Sequence, residues 1–179
     1  MSEIKKREVP SWVDYFFKMS ELVKTKSKDR STQVGVTIID STNHVVTTGY
    51  NGFPHGVDDE NELYHQRPTK YFVTEHAERN ALYFCAKKGI ALGGCKMVFD
   101  GNPFPCSDCA RGIIQSGITT VVGRDVKFEG KGDWLDSCWF GKEMLLEAGV
   151  EIIVLDNNRE EVNIIDVKQF QGYSPPQAV

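Results

Sequence analysis

The 179-residue chain contains no apolar run approaching the roughly 20 residues that a membrane-spanning helix needs. Its opening residues, Met1-Ser2-Glu3-Ile4-Lys5-Lys6-Arg7, are charged where a secretory signal would be apolar. A cytoplasmic protein with no membrane partner is expected. A basic excess is also missing, since 21 Lys and Arg face 25 Asp and Glu, for a formal net charge of -4 and a pI near 5.6. The phosphates of a long nucleic acid call for a basic stripe, so no such partner is expected. There is no internal repeat. Cysteine is scarce, at five residues, and in a cytoplasmic chain these are read as metal ligands and buried thiols rather than as a disulfide framework.

What is present suffices for one core: 40% of residues are hydrophobic and 11% aromatic. The expected organisation is a single domain over 1–155 and a tail over 156–179 that is partly ordered at best. Trp12, Phe16, Met19 and Val23, widened by Tyr15 and Leu22, recur at helical spacing and predict a helix over 11–24 with that stripe inward. A polar loop carrying Lys26, Lys28 and Arg30 leads to a β-branched run over 33–39, turn residues Asp40-Ser41-Thr42-Asn43, and a return strand over 44–50. The segment 57–70 is polar and irregular, with Arg67 and Lys70 as its cations, and reads as a long loop. A helix over 75–88 follows, with Thr74 as N-cap, Gly89 as terminator, and Ala77, Ala81, Phe84 and Cys85 inward. Thereafter come a strand over 95–99, a helix over 106–116, a strand over 118–122, a helix over 137–148 with Phe140, Met144, Leu145 and Ala148 inward, and a strand over 150–155. In the tail, 162–167 reads as a further strand or contact and 172–176 as loose chain. An opening hairpin followed by alternating helices and strands predicts an α/β sheet covered on both faces, its later strands parallel.

Two stretches carry chemistry. His76-Ala77-Glu78 offers an imidazole and, two residues on, a carboxylate; Pro105-Cys106-Ser107-Asp108-Cys109 offers two thiols three apart. Cysteines at that spacing at a helix start share a face, and the helix dipole favours their thiolates. Residues two apart on a helix do not share a face, so His76 and Glu78 serve one site only at the opening turn. A structural zinc takes four protein ligands, whereas a catalytic one keeps a corner for water. Three donors, His76, Cys106 and Cys109, plus the free acid Glu78 fit Zn²⁺ of the second kind. Cys85, Cys95 and Cys138 sit among apolar residues and are expected as core thiols. Asn51, in Gly49-Tyr50-Asn51-Gly52, can donate to and accept from a sugar hydroxyl. The Ser, Lys and Arg side chains of the cationic loop either face solvent or meet a phosphate.

On these residues the chain resembles the zinc-dependent cytidine/deoxycytidylate deaminase superfamily, and within it the dCMP deaminases. The resemblance extends through Ser27-Lys28-Asp29, Ser31-Thr32-Gln33-Val34-Gly35, Gly49-Tyr50-Asn51-Gly52-Phe53-Pro54, His76-Ala77-Glu78-Arg79-Asn80-Ala81, 105–118 and Glu147-Ala148-Gly149-Val150. It implies a three-layer αβα cytidine-deaminase-like fold, with a central mixed five-stranded sheet and helices on both faces. It implies hydrolysis of dCMP to dUMP and ammonia, with Glu78 as proton shuttle beside Zn²⁺ held by His76, Cys106 and Cys109. It also implies that the backbone at Ala77 positions the pyrimidine, Asn51 holds the sugar, and Ser27 and Lys28 lie near the phosphate. A homo-oligomer, a hexamer in many relatives, and the effectors dCTP and dTTP are implied as well. Arg30 departs from the proline of many relatives, and 57–70 has no cysteine for the second zinc of some viral ones. Two alternatives stay open: a related deaminase acting on dCTP, a nucleoside, guanine or a transfer-RNA adenosine, and a non-catalytic zinc-clamped nucleotide-binding module.

Overall fold

The computed structural model describes residues 7–126, 132–158, 160–161, 170 and 173–174. Five strands form one mixed sheet in the order β2-β1-β3-β4-β5: β1 (Gly35–Ile39), β2 (Val45–Tyr50), β3 (Lys96–Phe99), β4 (Thr120–Arg124) and β5 (Glu151–Leu155). β1 is antiparallel to both β2 and β3, whereas β3, β4 and β5 are parallel. Alternation sorts the strand side chains into two layers. Val36, Ile38, Met97, Phe99, Val121, Ile152 and Val154 face one core, and Ile39, Val98 and Leu155 the other.

The first core is covered by α3 (Ala77–Lys88), α4 (Ser107–Gln115) and α5 (Asp133–Glu147); the second is covered by α1 (Trp12–Lys24). Two crossovers, β3-α4-β4 and β4-α5-β5, step the same way along the sheet, and since parallel crossovers share one favoured hand, both helices fall on one face. The three-layer α/β expectation therefore holds, with one helix against three.

Several helix faces differ from the periodicity reading. α1 is capped by Ser11, whose hydroxyl accepts from the Asp14 N–H. It buries Phe16, Phe17 and Ser20 while Trp12, Tyr15 and Leu22 stay exposed. The cause is close approach to β1: a Cβ at Gly35 would lie 2.2 Å from the Ser20 carbonyl oxygen. The Ser20 hydroxyl, 2.9 Å from both the Thr37 hydroxyl and the Val98 carbonyl, satisfies its polarity inside that contact. In α3, Leu82 takes the buried place expected for Phe84, which is exposed. α5 begins at Asp133, before the expected 137, and buries Cys138, Gly141, Lys142 and Leu145. Phe140 and Ala148 face outward, because Gly141 is pressed so closely on the Pro105-Cys106 backbone that a Cβ there would meet the Pro105 oxygen at 2.3 Å.

Within 57–70 lies a 3₁₀ turn, Glu62–His65, and a short helix, α2 (Lys70–Val73), starts at its last residue. Beyond β5, Leu155 pairs with Glu161, and Phe170 is buried with its ring 5.1 Å from Phe104 and 5.2 Å from Trp139. The Tyr173 hydroxyl donates to the Asp136 carboxylate. The strand or contact expected over 162–167, and the loose chain at Gly172, Pro175 and Pro176, lie outside the described residues.

Candidate active site

The register places two helix starts at one sheet edge. Gly35 pairs with Tyr50 and Val36 with Phe99, so β2 and β3 end at the same edge of the sheet, on either side of β1. α4 opens soon after β3. The chain leaving β2 makes its excursion through α2 and returns to the same edge, where Gly52 and Glu75 exchange backbone hydrogen bonds of 3.0 and 2.8 Å. That exchange holds Glu75 in an extended pairing, so α3 starts at Ala77 with His76 as its cap residue, and not at 75 behind Thr74.

His76 and Cys106 are thus the cap residues of α3 and α4, and Cys109 stands in the first turn of α4. His76 Nδ1 lies 3.4 Å from the Sγ of Cys106 and 3.4 Å from that of Cys109. All three donor atoms fall within 4.8 Å of one another, and this is the single such group among the described residues. Donors held 2.0–2.3 Å from a tetrahedral zinc sit about 3.5 Å apart, so the set fits Zn²⁺. Both sulfurs are buried, while the imidazole is half-buried under Trp134, ring centroids 5.5 Å apart at 70°.

One of the two thiols is biased toward thiolate. A hydrogen bond from Cys109 favours the Cys106 thiolate against burial, His76 adds to it, and the Cys106 pKa is lowered to about 4. Its role as donor, together with burial, pushes the Cys109 thiol up, so in the metal-free protein the pair releases one proton readily and holds the second. Burial opposes the imidazolium of His76, but Cys106 and Glu78 outweigh it and its pKa is raised. Glu78 is 6% exposed, and burial pushes its carboxyl pKa up, with His76 pulling the other way. The remaining cysteines, Cys85, Cys95 and Cys138, are buried in the core, as expected.

The other anticipated residues are placed less simply. Ala77 is fully buried at the opening of α3, where Gly49 of β2 comes so close that a Cβ would lie 2.2 Å from the Ala77 oxygen. Asn51 is buried and already engaged: its Oδ1 accepts from the Val34 N–H at 2.8 Å and its Nδ2 donates to the Thr32 carbonyl at 2.8 Å. The Ser27 hydroxyl accepts from the Asp29 N–H. Lys28 is exposed and paired with Asp59 at 2.9 Å and Glu60 at 3.2 Å, and Arg30 with Glu62 at 2.7 Å. The acids of the long loop thus answer the cations of the first one.

Between these loops lies a pair that the sequence reading missed. Lys70 Nζ sits 2.7 and 2.6 Å from the two carboxylate oxygens of Asp29, and both residues are buried. Burial acts to raise the Asp29 pKa, but Lys70 and the Ser31 and Thr32 N–H groups outweigh it, leaving the carboxyl below its ordinary value. Its contribution to stability is therefore complete at neutral pH and is lost as pH falls through that depressed value. Lys70→Met leaves a buried carboxylate without its partner and is expected to lower unfolding stability by about 3–5 kcal/mol, read from urea titration at neutral pH. A loss below about 1 kcal/mol, the worth of an exposed pair, would show that the contact is solvated.

Against known proteins, the model of the cytidine and deoxycytidylate deaminase zinc-binding region matches residues 10–124, well over half of the chain. The chain belongs to this family. Zinc is accordingly its cofactor, and the His/Cys/Cys group is the donor set described above that fits the ion. A curated relative, an uncharacterized deaminase in the luxG 3' region of Aliivibrio fischeri, is 39% identical over 144 residues, 80% of this chain and 93% of its own length. The deoxycytidylate deaminase of Homo sapiens is 37% identical over 140 residues, 72% of this chain and 74% of its own. Among solved structures, the dCMP deaminase of cyanophage S-TIM5, crystallised with dCMP and dUMP, is 26% identical and superposes with a TM-score of 0.64, covering 83% of this chain and all of that one. The mixed sheet and its helices match that deaminase architecture.

Proposed function

We propose that this deaminase hydrolyses dCMP to dUMP and ammonia, with His76, Cys106 and Cys109 as zinc ligands and Glu78 as the proton carrier. The observation that carries the reading is a buried carboxyl, that of Glu78, two residues from an imidazole that stands 3.4 Å from two thiols, in a chain 37% identical to a deoxycytidylate deaminase. Zinc held by these donors would supply the Lewis acidity that makes hydroxide available near neutral pH. Glu78 accepts the proton of the attacking water and delivers it to N3 as C4 is attacked; it then carries the remaining proton of the new C4 hydroxyl to the amine, so that the C4–N bond breaks, ammonia leaves and the C4 carbonyl forms. Its raised pKa suits a carboxyl that must both take and give a proton.

The positions of these residues support a set of substrate contacts. The backbone at Ala77 orients the pyrimidine at the start of α3, and Asn51 holds the sugar side as part of a hydrogen-bonded wall with Thr32 and Val34. The Ser27–Lys28 region takes the phosphate, which competes with Asp59 and Glu60 for the exposed Lys28 ammonium. The domain over 1–155 carries the chemistry, with 156–179 as its tail. Assembly as a homohexamer, activation by dCTP, inhibition by dTTP and a cytoplasmic location complete the proposal.

The test is ammonia release from dCMP, CMP, dCTP, deoxycytidine and guanine, each with and without a zinc chelator. dCMP is expected to be the preferred substrate, and chelation to abolish turnover. Ammonia from another substrate but not from dCMP moves the enzyme elsewhere in the family, and ammonia from none overturns the reading.

A further inference from the structure

The donors of one metal site come from two separate helix starts, so something must hold those starts together. Arg79, in the first turn of α3, is placed to do so. Its Nε and one terminal nitrogen lie 2.5 Å from Glu75 Oε1, the same oxygen that accepts the backbone N–H of His76 at 3.0 Å. Its other terminal nitrogen lies 3.5 Å from the carboxylate of Asp108, which stands between Cys106 and Cys109 and is itself paired with Arg111. The Arg79 side chain is 25% exposed and that of Glu75 16%, so the Glu75 half of this fork is partly desolvated, while Asp108, at 53%, meets it at the surface.

One turn further in, α3 and α4 touch again. A Cβ at Gly112 would come 2.9 Å from Leu82 Cδ1, so the Leu82 side chain packs directly over the glycine. That apolar contact is a fulcrum, and the Arg79–Asp108 arm lies on the side of the metal donors. Loss of the arm lets the helix starts separate while the fulcrum keeps the fold.

We propose that Arg79 is a positioning residue that ties the two ligand-bearing helix starts together and sets how tightly zinc is retained. It rests on the zinc-deaminase reading above. Arg79 touches none of the three donor atoms; it acts through Glu75 on the His76 backbone and through Asp108 on the segment between the cysteines.

Zinc affinity, measured by competition with a chromogenic chelator, separates this role from folding. Partners that orient metal ligands typically alter affinity 10- to 100-fold, and a loss of about that size is expected in Arg79→Gln. Arg79→Lys keeps the charge but not the fork, so most of the loss persists. Because the fulcrum remains, the melting temperature of the metal-free protein falls by no more than about 2–4 °C. Asp108→Asn also weakens zinc binding, and the double variant is less affected than the product of the two single losses. Zinc affinity in Arg79→Gln within about twofold of the parent, or losses that multiply within that error, overturns the proposal. A metal-free Arg79→Gln that melts far below the parent overturns it too, by making the role one of folding. A parent chain that binds no zinc removes the deaminase reading itself, which the parent measurement reports separately.

Discussion

Glu78→Gln is expected to keep its zinc and lose about 10²–10⁴-fold in kcat, the range that positioned general acid–base groups contribute. The substitution preserves shape: Glu78 lies in the buried first turn of α3, and glutamine fills the same volume. What disappears is the capacity to take a proton from water and return it to the ring. A neutral amide is also easier to bury than a carboxylate, so thermal stability should hold or rise. Loss of turnover without loss of stability or metal is the signature of a proton carrier. Turnover within about tenfold of the parent would remove Glu78 from that role.

Removing a ligand should give the opposite pattern. Cys109 is fully buried at the convergence of the three donors, and Cys109→Ala leaves one thiol and one imidazole. Two donors do not make the three-ligand grip of a catalytic zinc, so bound metal is expected to fall from about one ion per chain to a small fraction of that, and activity with it. The thiols must lose their protons to bind, so zinc affinity in the parent falls as pH drops. Elemental analysis of the purified variant checks the metal, and unchanged zinc content strikes Cys109 from the ligand set. Together the two variants separate the carrier from the grip: one is loaded and idle, the other empty.

The parts of this site that could be read in advance share a property. His76-Ala77-Glu78 and Cys106-Ser107-Asp108-Cys109 are each contiguous, and a helix start imposes its geometry over three or four residues, so spacing alone tells which atoms point the same way. The alternation of strands and helices likewise carried the sheet and its parallel half. Helix faces were read less well. The apolar stripes of α1 and α5 named Trp12 and Phe140, yet burial went to Phe17 and Gly141, because close backbone approaches at Gly35 and Gly141 decided which way each helix rolled.

The sequence by itself determined the His/Cys/Cys group, the acid proposed to carry the proton, the family and the order of the main elements, since each is a local pattern or a motif. Tertiary structure alone decided that Glu75 would pair with Gly52 and leave His76 as the cap of α3, that Lys70 would be buried against Asp29, that Trp134 would cover His76, and that Arg79 would reach Asp108. These contacts join residues far apart along the chain, Asp29 and Lys70 being 41 positions apart, and at such distances spacing carries no directional information. Only the packing of the sheet brings them within reach.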